Sequence, residues 1–192
     1  MITEIKVLTA LREANRSMTI RQISKAIRSD YRITHTGVKR LAGKGALDIT
    51  TVGKSSLCSI NASHFGMELY IAEQERRNRL LRDRNISALF KEVMGKIGTR
   101  LFVFLIFGSY AKGSQKVSSD IDLMFIANEK GLEERVLQIL SLLPLKCHPI
   151  IFTEEEFIRM RDSAKQNVIK EAISHNIILF GIESYYGLKN AG

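Results

Sequence analysis

The stretch that decides the fold of the second half of the chain is LFVFLIFGSYAKGSQKVSSDIDLMFI, residues 101–126. It opens with an apolar run that predicts a buried strand, and Gly108 and Ser109 follow this run directly. A second strand is predicted further on, and its alternation places Asp120 and Asp122 on one face. Paired carboxylates of this kind predict a Mg²⁺ site, because Mg²⁺ commonly takes one or two carboxylates plus substrate phosphates. Together, the Gly-Ser turn and the acidic pair indicate a bound nucleoside triphosphate.

The segment GSYAKGSQKVSSDIDLMFI resembles the G-S-x(n)-D-x-D core of the DNA polymerase beta-type nucleotidyltransferases, and most closely their minimal branch. The resemblance covers about Leu101 to Gly181. It implies that Gly108 and Ser109 hold the phosphates of a nucleoside triphosphate, which is the substrate or ligand. It also implies that Asp120 and Asp122 are the catalytic, metal-binding residues of a site for one or two Mg²⁺ ions.

The sequence departs from this family at one position. The family normally has a third carboxylate on the strand that is predicted here at Cys147–Phe152, and by register that position falls at or next to His148. Loss of a carboxylate weakens the metal site on the side of the entering oxygen. His148 is then either a neutral base near physiological pH or a satisfied polar residue at a strand end. Thr153 and Glu156 form a predicted capping box, so the acidic run after the strand is not a replacement.

Two other kinds of segment share features with the glycine-rich stretch. A P-loop needs Lys and then Ser or Thr after its last glycine, whereas Gly113 is followed by Ser114 and Gln115. That residue order excludes a Walker-type ATPase. A hairpin with ordinary turn chemistry accounts for the Gly-Ser pair or the acidic pair taken alone, but not for both together.

Positive charge is concentrated in the first third of the chain. Residues 1–64 contain 11 Lys and Arg against four Asp and Glu, although the whole chain has a net charge of only +9. A basic cluster on a small domain is the electrostatic footprint of a protein that binds a phosphate backbone. A merely soluble basic surface is the alternative.

The apolar pattern of the first third predicts three helices and a hairpin. The helices are expected at about Ile2–Ala14, from about Ser17, and at about Thr34–Gly43, and the hairpin strands at Leu47–Val52 and Leu57–Ile60. This order resembles a winged helix-turn-helix domain that binds double-stranded DNA. In that fold the third helix enters the major groove and the wing contacts the backbone. The DNA-contact candidates are therefore His35, Thr36, Lys39 and Arg40 on the third helix and Lys54 at the wing tip. A solvated helix face and a protein-docking module are the alternatives.

The predicted domain organisation has three parts. A winged helix-turn-helix domain at residues 1–64 is followed by a helical connector at 65–98 and a nucleotidyltransferase-like domain at 99–192. The connector carries an apolar and a basic stripe, which suit a homodimer interface or an extended basic footprint; a solvated helix that covers its neighbours is the alternative. After the acidic pair the chain predicts a helix at Leu132–Leu143, a strand, and a last helix at about Glu154–His175. The fold class is α+β, with a polymerase beta-like mixed sheet and flanking helices.

Composition sets outer bounds on the protein. Cys58 and Cys147 lie far apart without paired spacing, which argues against a disulfide framework and against a zinc site. No signal peptide opens the chain, and the longest apolar run is too short to span a bilayer. We therefore expect a cytoplasmic protein without a membrane partner.

Three functions remain open from the sequence. The first is an enzyme that transfers a nucleoside monophosphate from a triphosphate to a hydroxyl group. The second is a DNA-binding transcriptional regulator whose transferase domain has decayed into a nucleotide sensor. The third, suggested by the minimal members of the family, is a toxin-antitoxin partner that acts on a toxin-like protein. The intact Gly-Ser and Asp pairs favour retained nucleotide binding, whereas His148 argues against full catalysis.

Overall fold

The computed structural model describes residues 2–53, 55–98, 102–116 and 118–191. The chain divides into two compact units, Met1–Arg76 and Arg77–Gly192, which we call the N-terminal and C-terminal units. The division falls inside the region that the sequence assigned to a connector. The predicted boundaries at residues 64 and 98 stay a prediction.

The N-terminal unit combines helices with a small antiparallel sheet. Its elements are α1 (Thr3–Ala14), β1 (Met18–Thr19), α2 (Ile20–Ala26), α3 (Tyr31–Gly43), β2 (Leu47–Val52), β3 (Ser55–Ile60) and the larger part of α4 (Met67–Leu80). Among the described residues the sheet has the strand order β1-β3-β2, and both pairs are antiparallel. Its apolar core includes Val7, Leu8, Ile23, Val38, Leu41 and Cys58.

Side-chain caps decide where the helices of this unit begin. The second helix starts at Ile20, because Thr19 and Gln22 form a capping box and Met18 and Thr19 pair with β3 instead. The third helix starts three residues before the predicted Thr34, because the Asp30 carboxylate accepts hydrogen bonds from the backbone of its first turn. A carboxylate at this position also suits the positive end of the helix dipole.

A buried ionic cluster joins α1 to α4 within the N-terminal unit. Glu73 is fully buried and accepts hydrogen bonds from Arg12 Nε at 2.7 Å and from Arg76 Nη1 at 2.6 Å. The Arg12 and Arg76 side chains are only 10% and 5% exposed. A charge this far from water needs a close partner of opposite sign, so the three side chains depend on one another.

The C-terminal unit is built on a mixed sheet. After the end of α4 its elements are α5 (Arg84–Lys96), β4 (Val103–Phe107), α6 (Gly108–Lys112), β5 (Ile121–Ile126), α7 (Leu132–Ser141), β6 (Cys147–Phe152), α8 (Glu154–Asp162), α9 (Val168–Ser174), β7 (Asn176–Phe180) and α10 (Ile182–Asn190). The described strands are ordered β6-β5-β4-β7; β4 pairs antiparallel with β5 and β7, and β5 pairs parallel with β6. The predicted mixed α+β architecture of this unit is confirmed.

The two central strands are buried along their length except at Asp122 of β5, which explains their nearly continuous apolar sequences. Phe104 of β4 and Phe125 of β5 are register partners and stack with ring centroids 4.5 Å apart. Residues of α5 and α7, including Leu89, Val93 and Val136, belong to the same buried cluster. The core therefore holds the carboxyl end of β4 and the amino end of β5 in a fixed relation.

The helices from α4 onward differ from the sequence-based expectation. The last predicted helix is two helices, α8 and α9, because Asn167 caps α9 through Lys170 N and its amide donates to Met160 O. The predicted connector is also two helices, α4 and α5, since Asp83 caps the second of them. The helix α10 was not predicted. The predicted capping box of Thr153 and Glu156 at the start of α8 is confirmed.

A helix that crosses a membrane must be apolar and long enough to span the hydrocarbon core. In the part of the chain that the structure describes, no helix has the length and the apolar composition needed to cross a bilayer.

Candidate functional site

The Gly-Ser pair lies where β4 ends and α6 begins. Gly108 has a φ of +64°, a conformation that side chains with a Cβ rarely adopt. A Cβ at this position would also overlap with Asp122 Oδ2 and would lie 3.1 Å from Asp122 Cγ. Glycine is therefore required for two reasons, backbone conformation and the close approach of a carboxylate. Ser109 follows in the first turn of α6 and is half-buried.

The acidic pair lies at the start of β5. Asp120 and Asp122 flank Ile121, which is buried, and their own side chains are 34% and 33% exposed. The parallel pairing of β5 with β6 sets Asp122 opposite His148. His148 Nε2 lies 3.5 Å from Asp120 Oδ2, and His148 Nδ1 lies 3.8 Å from Asp122 Oδ1. The structure thus brings together the two carboxylates and the residue that the sequence placed at the third carboxylate position.

Electrostatics at Asp122 reflect this crowding. Burial is the largest cause, and it raises the pKa of Asp122 above the ordinary aspartate value. His148 opposes this rise, whereas Glu171 and then Asp120 add to it through like-charge repulsion, and Lys112 opposes it again. A bound cation would relieve the repulsion among these carboxylates.

Several observations bear on whether the site suits a metal ion. Asp120 Oδ1 is buried and has no hydrogen-bond partner among the described residues, which is costly unless another group meets it. No group of three His, Cys, Asp or Glu side chains within the described ranges is arranged to hold a metal ion. Burial, and then the Asp120 charge, raise the pKa of the neighbouring Cys147 thiol to about 11, so Cys147 is a neutral thiol near neutral pH. The donor set is therefore two carboxylates, which is what Mg²⁺ takes alongside phosphate oxygens and water.

Two charged residues near the acidic pair were not identified from the sequence. Lys112 ends α6, and its Nζ lies 3.0 Å from Glu171 Oε1 on α9. Glu171 is separated from Asp122 by about fifty residues, and it lies in the region that the sequence assigned to one long helix. No local pattern distinguishes it from the other surface glutamates.

The four described DNA-contact candidates lie on α3. Thr36, Lys39 and Arg40 are exposed, and His35 is half-buried and stacks on Tyr31 with ring centroids 6.1 Å apart. Arg40 Nη1 forms an ion pair with Glu4 Oε1 at 3.3 Å, a partner that the sequence did not predict. All four side chains belong to one helix whose opposite face, including Val38, is buried.

The fifth DNA-contact candidate, Lys54, lies outside the described residues. On the same unit, Arg21 and Lys25 of α2 line a groove together with Tyr31 of α3 and with the first residues of β3. Neither of these two basic residues was predicted from the sequence to contact DNA. The helical pattern of the sequence could have identified them as exposed, because both alternate with the buried Ile20, Ile23 and Ser24 at helical spacing.

Comparisons with known proteins bear on the C-terminal unit. Residues 96–184, just under half of the chain, match the family model described as polymerase beta, nucleotidyltransferase. No significant match was found among curated proteins or among solved structures. The matched residues include the Gly-Ser pair, the acidic pair and His148. The match supports the nucleotidyltransferase part of the prediction that was made from the sequence.

Proposed function

We propose that the C-terminal unit binds a magnesium nucleoside triphosphate and transfers the nucleoside monophosphate to a hydroxyl group. The observation that carries this proposal is the juxtaposition of Gly108 with Asp122, next to an unpartnered carboxylate oxygen of Asp120. Because Gly108 lies so close to Asp122, a triphosphate held at Gly108 would lie next to a cation held by the acidic pair. The match to a nucleotidyltransferase family supports the same chemistry.

In this proposal Asp120 and Asp122 hold Mg²⁺, and Gly108 and Ser109 hold the phosphates through backbone amides and the serine hydroxyl. A bound Mg²⁺ would neutralise charge that develops on the phosphate oxygens during transfer. The Asp120 Oδ1 atom, which is buried and has no partner among the described residues, fits such a ligand.

The transfer itself is an in-line displacement at the α-phosphorus. The acceptor oxygen forms a bond to this phosphorus while the bond to the bridging oxygen of pyrophosphate breaks, and pyrophosphate leaves with the electron pair. The proton of the acceptor hydroxyl passes to a base. In this proposal His148 is that base, and its position supports the role, since it lies within 4 Å of both carboxylates and its side chain is 65% exposed.

Replacing either aspartate tests the site. The full-length protein is incubated with each of the four α-labelled nucleoside triphosphates and Mg²⁺, and label is followed into protein, nucleic acid and small-molecule products. Asp120→Asn and Asp122→Asn are expected to reduce transfer by at least about 100-fold, because preorganised charge at the phosphate is lost. Circular dichroism checks that both variants fold, and Asp162→Asn, on the surface of α8, serves as the control. Transfer that persists at the parental rate in both variants would overturn the proposal.

A second candidate function follows from His148. A histidine in place of a carboxylate suits a domain that binds nucleotide without transferring it, which is the regulator with a nucleotide-sensing domain. His148→Asp separates the two functions, since it restores the acidic ligand of the family pattern. A gain of transfer in His148→Asp over an inactive parent that binds nucleotide would favour the sensor. An active parent that loses transfer in His148→Ala, with nucleotide binding retained, would make His148 the working base.

We further propose that the N-terminal unit is a winged helix-turn-helix that binds double-stranded DNA through α3. The order of its elements supports this: helix, short strand, two helices and a hairpin that shares one sheet with the short strand. The exposed Lys39 and Arg40 on α3, with Arg21 and Lys25 on α2, supply positive charge for a phosphate backbone. Arg40 would exchange its ion pair with Glu4 for a DNA contact.

Salt dependence tests the DNA proposal on the full-length protein. Binding to a labelled random-sequence duplex is measured by fluorescence anisotropy between about 50 and 200 mM salt, where release of condensed counterions weakens a backbone binder steeply. The double variant Lys39→Ala with Arg40→Ala is expected to bind at least about 10-fold more weakly and with a shallower salt slope. Lys6→Ala with Arg16→Ala removes the same charge elsewhere on the unit and serves as the control. Equal losses of DNA affinity in both double variants would show that α3 is only part of a general basic surface.

A further inference from the structure

A small apolar patch lies where the start of α1 meets the exposed side of α3. Ile2, which directly precedes α1, is 67% exposed, and Ile33 in the first turn of α3 is 55% exposed. Both isoleucines line one groove, together with Thr36 and Arg40 of α3. The groove therefore combines apolar side chains with one of the basic residues that we propose for DNA binding.

Two contacts hold α1 against α3 beside this patch. Gly37 allows the two helices to approach closely, since a Cβ at this position would lie 3.0 Å from Thr3 Cγ2. Arg40 Nη1 forms its ion pair with Glu4 Oε1 at 3.3 Å. These contacts fix the side of α3 that carries Ile33, and an isoleucine with this much exposure contributes little to the core.

Ile33 shares a side of α3 with two of the DNA-contact candidates. Thr36 follows it by three residues and Arg40 by seven, and residues at these spacings lie along one stripe of a helix. Lys39, also exposed, lies next to this stripe. A DNA duplex that contacts these polar and basic side chains would consequently meet Ile33 as well.

The size and the charge of the patch favour DNA over a second protein chain as its partner. A stable protein interface takes about 20–30 residues from each side, whereas seven of the described residues line this groove. The exposed Lys39 and Arg40 favour a negatively charged partner and would repel the same surface of another copy. The patch thus suits a small apolar group on a polyanion. In the major groove of DNA, the C5 methyl group of thymine is such a group.

We propose that Ile33 is a specificity-determining residue that packs on the C5 methyl group of a thymine in the major groove, with the methyl group of Thr36 beside it. This inference rests on the proposed binding of DNA through α3. Removal of one methyl-sized group from water strengthens binding by about 4-fold. Contacts of Lys39 with phosphate supply affinity for any sequence, and Ile33 adds the preference for thymine.

Exchange of thymine for deoxyuridine tests this contact, because the two bases differ only in the C5 methyl group. The full-length protein first selects its preferred duplexes from a random-sequence library. Each thymine of a selected duplex is then replaced singly by deoxyuridine, and affinity is measured by fluorescence anisotropy. The parent is expected to lose about 4-fold in affinity at one thymine or more. Ile33→Ala is expected to bind the thymine duplex about 4-fold more weakly and to bind the deoxyuridine duplex equally well.

Three controls show whether the change comes from the methyl contact. The salt dependence of binding should be the same in Ile33→Ala and in the parent, because no charge is removed. Ile71 of α4, which is 38% exposed, gives the matched variant Ile71→Ala, and this variant should discriminate thymine from deoxyuridine as the parent does. Thermal unfolding confirms that each variant is folded.

The possible failures are distinguishable. A parent that binds duplex DNA but loses no affinity at any deoxyuridine would overturn the thymine contact and leave DNA binding intact. A preference for thymine that persists in Ile33→Ala would assign the methyl contact to another side chain. A dimer of the parent that dissociates in Ile33→Ala, with the preference for thymine unchanged, would make the patch a contact between copies and overturn the inference. A parent that binds no duplex would overturn the DNA proposal and the inference together.

Discussion

Gly108→Ala is expected to reduce nucleotide binding and transfer by at least about 100-fold. The expected loss of stability is modest. Alanine at a φ of +64° is strained by about 1 kcal/mol. The larger consequence is local, because the new Cβ would occupy the space of the Asp122 carboxylate and displace it. A displacement of about 1 Å at a reacting centre costs about 100-fold in rate. Labelled-nucleotide transfer and calorimetry measure the loss.

Gly113→Ala is the matched control for this change. Gly113 ends α6 with a nearly identical φ of +65°, but a Cβ there would have no heavy atom within 4 Å among the described residues. Both variants should therefore lose a similar amount of stability in thermal unfolding, and only Gly108→Ala should lose nucleotide binding. Parental nucleotide affinity in Gly108→Ala would show that the close approach to Asp122 has no role in the site.

Glu73→Gln is expected to lower the free energy of unfolding of the N-terminal unit by about 3 kcal/mol. The substitution keeps the shape of the side chain but removes the negative charge that Glu73 places beside Arg12 and Arg76, both almost fully buried. Breaking a buried ion pair on one side typically costs about 3–5 kcal/mol, and the partial exposure of Arg12 places the expected loss at the lower end. Urea unfolding followed by circular dichroism, with a probe on each unit, measures the change.

Glu75→Gln provides the comparison on the same helix. Glu75 is only half-buried and lies two residues from Glu73, so it points to a different side of α4. Its replacement should change the free energy of unfolding by less than about 0.5 kcal/mol. A Glu73→Gln variant that is as stable as Glu75→Gln would mean that water reaches the cluster and solvates the two arginines.

Local chemistry made part of this protein predictable from its sequence. The two-residue period of a strand is enough to place Asp120 and Asp122 around a buried Ile121, and the structure has that alternation. The capping box of Thr153 and Glu156 needs only residues that are three apart, so it too was readable. The family resemblance supplied what local pattern does not, namely that the strand at Cys147–Phe152 would bring His148 to the acidic pair.

The prediction of one helix at Glu154–His175 was wrong, because the structure has two helices there, α8 and α9. Helical periodicity is a weak signal against a side chain that competes for backbone groups, and Asn167 both caps α9 and bonds to Met160 O. The break sets Glu171 on a separate short helix, α9. The predicted winged helix-turn-helix, its DNA contacts, the toxin-like partner and the homodimer stay predictions.

The sequence by itself determined the apolar strands, the Gly-Ser and Asp-Ile-Asp segments and their order, since these depend on neighbours a few residues apart. Only the tertiary structure decided that Gly108 meets Asp122 so closely that no Cβ fits between them, that Glu73 is buried between Arg12 and Arg76, and that Glu171 holds Lys112. The partners of these charges lie up to about sixty residues apart along the chain. Contacts at such separations follow from strand pairing and helix packing, which no periodicity along a single segment encodes.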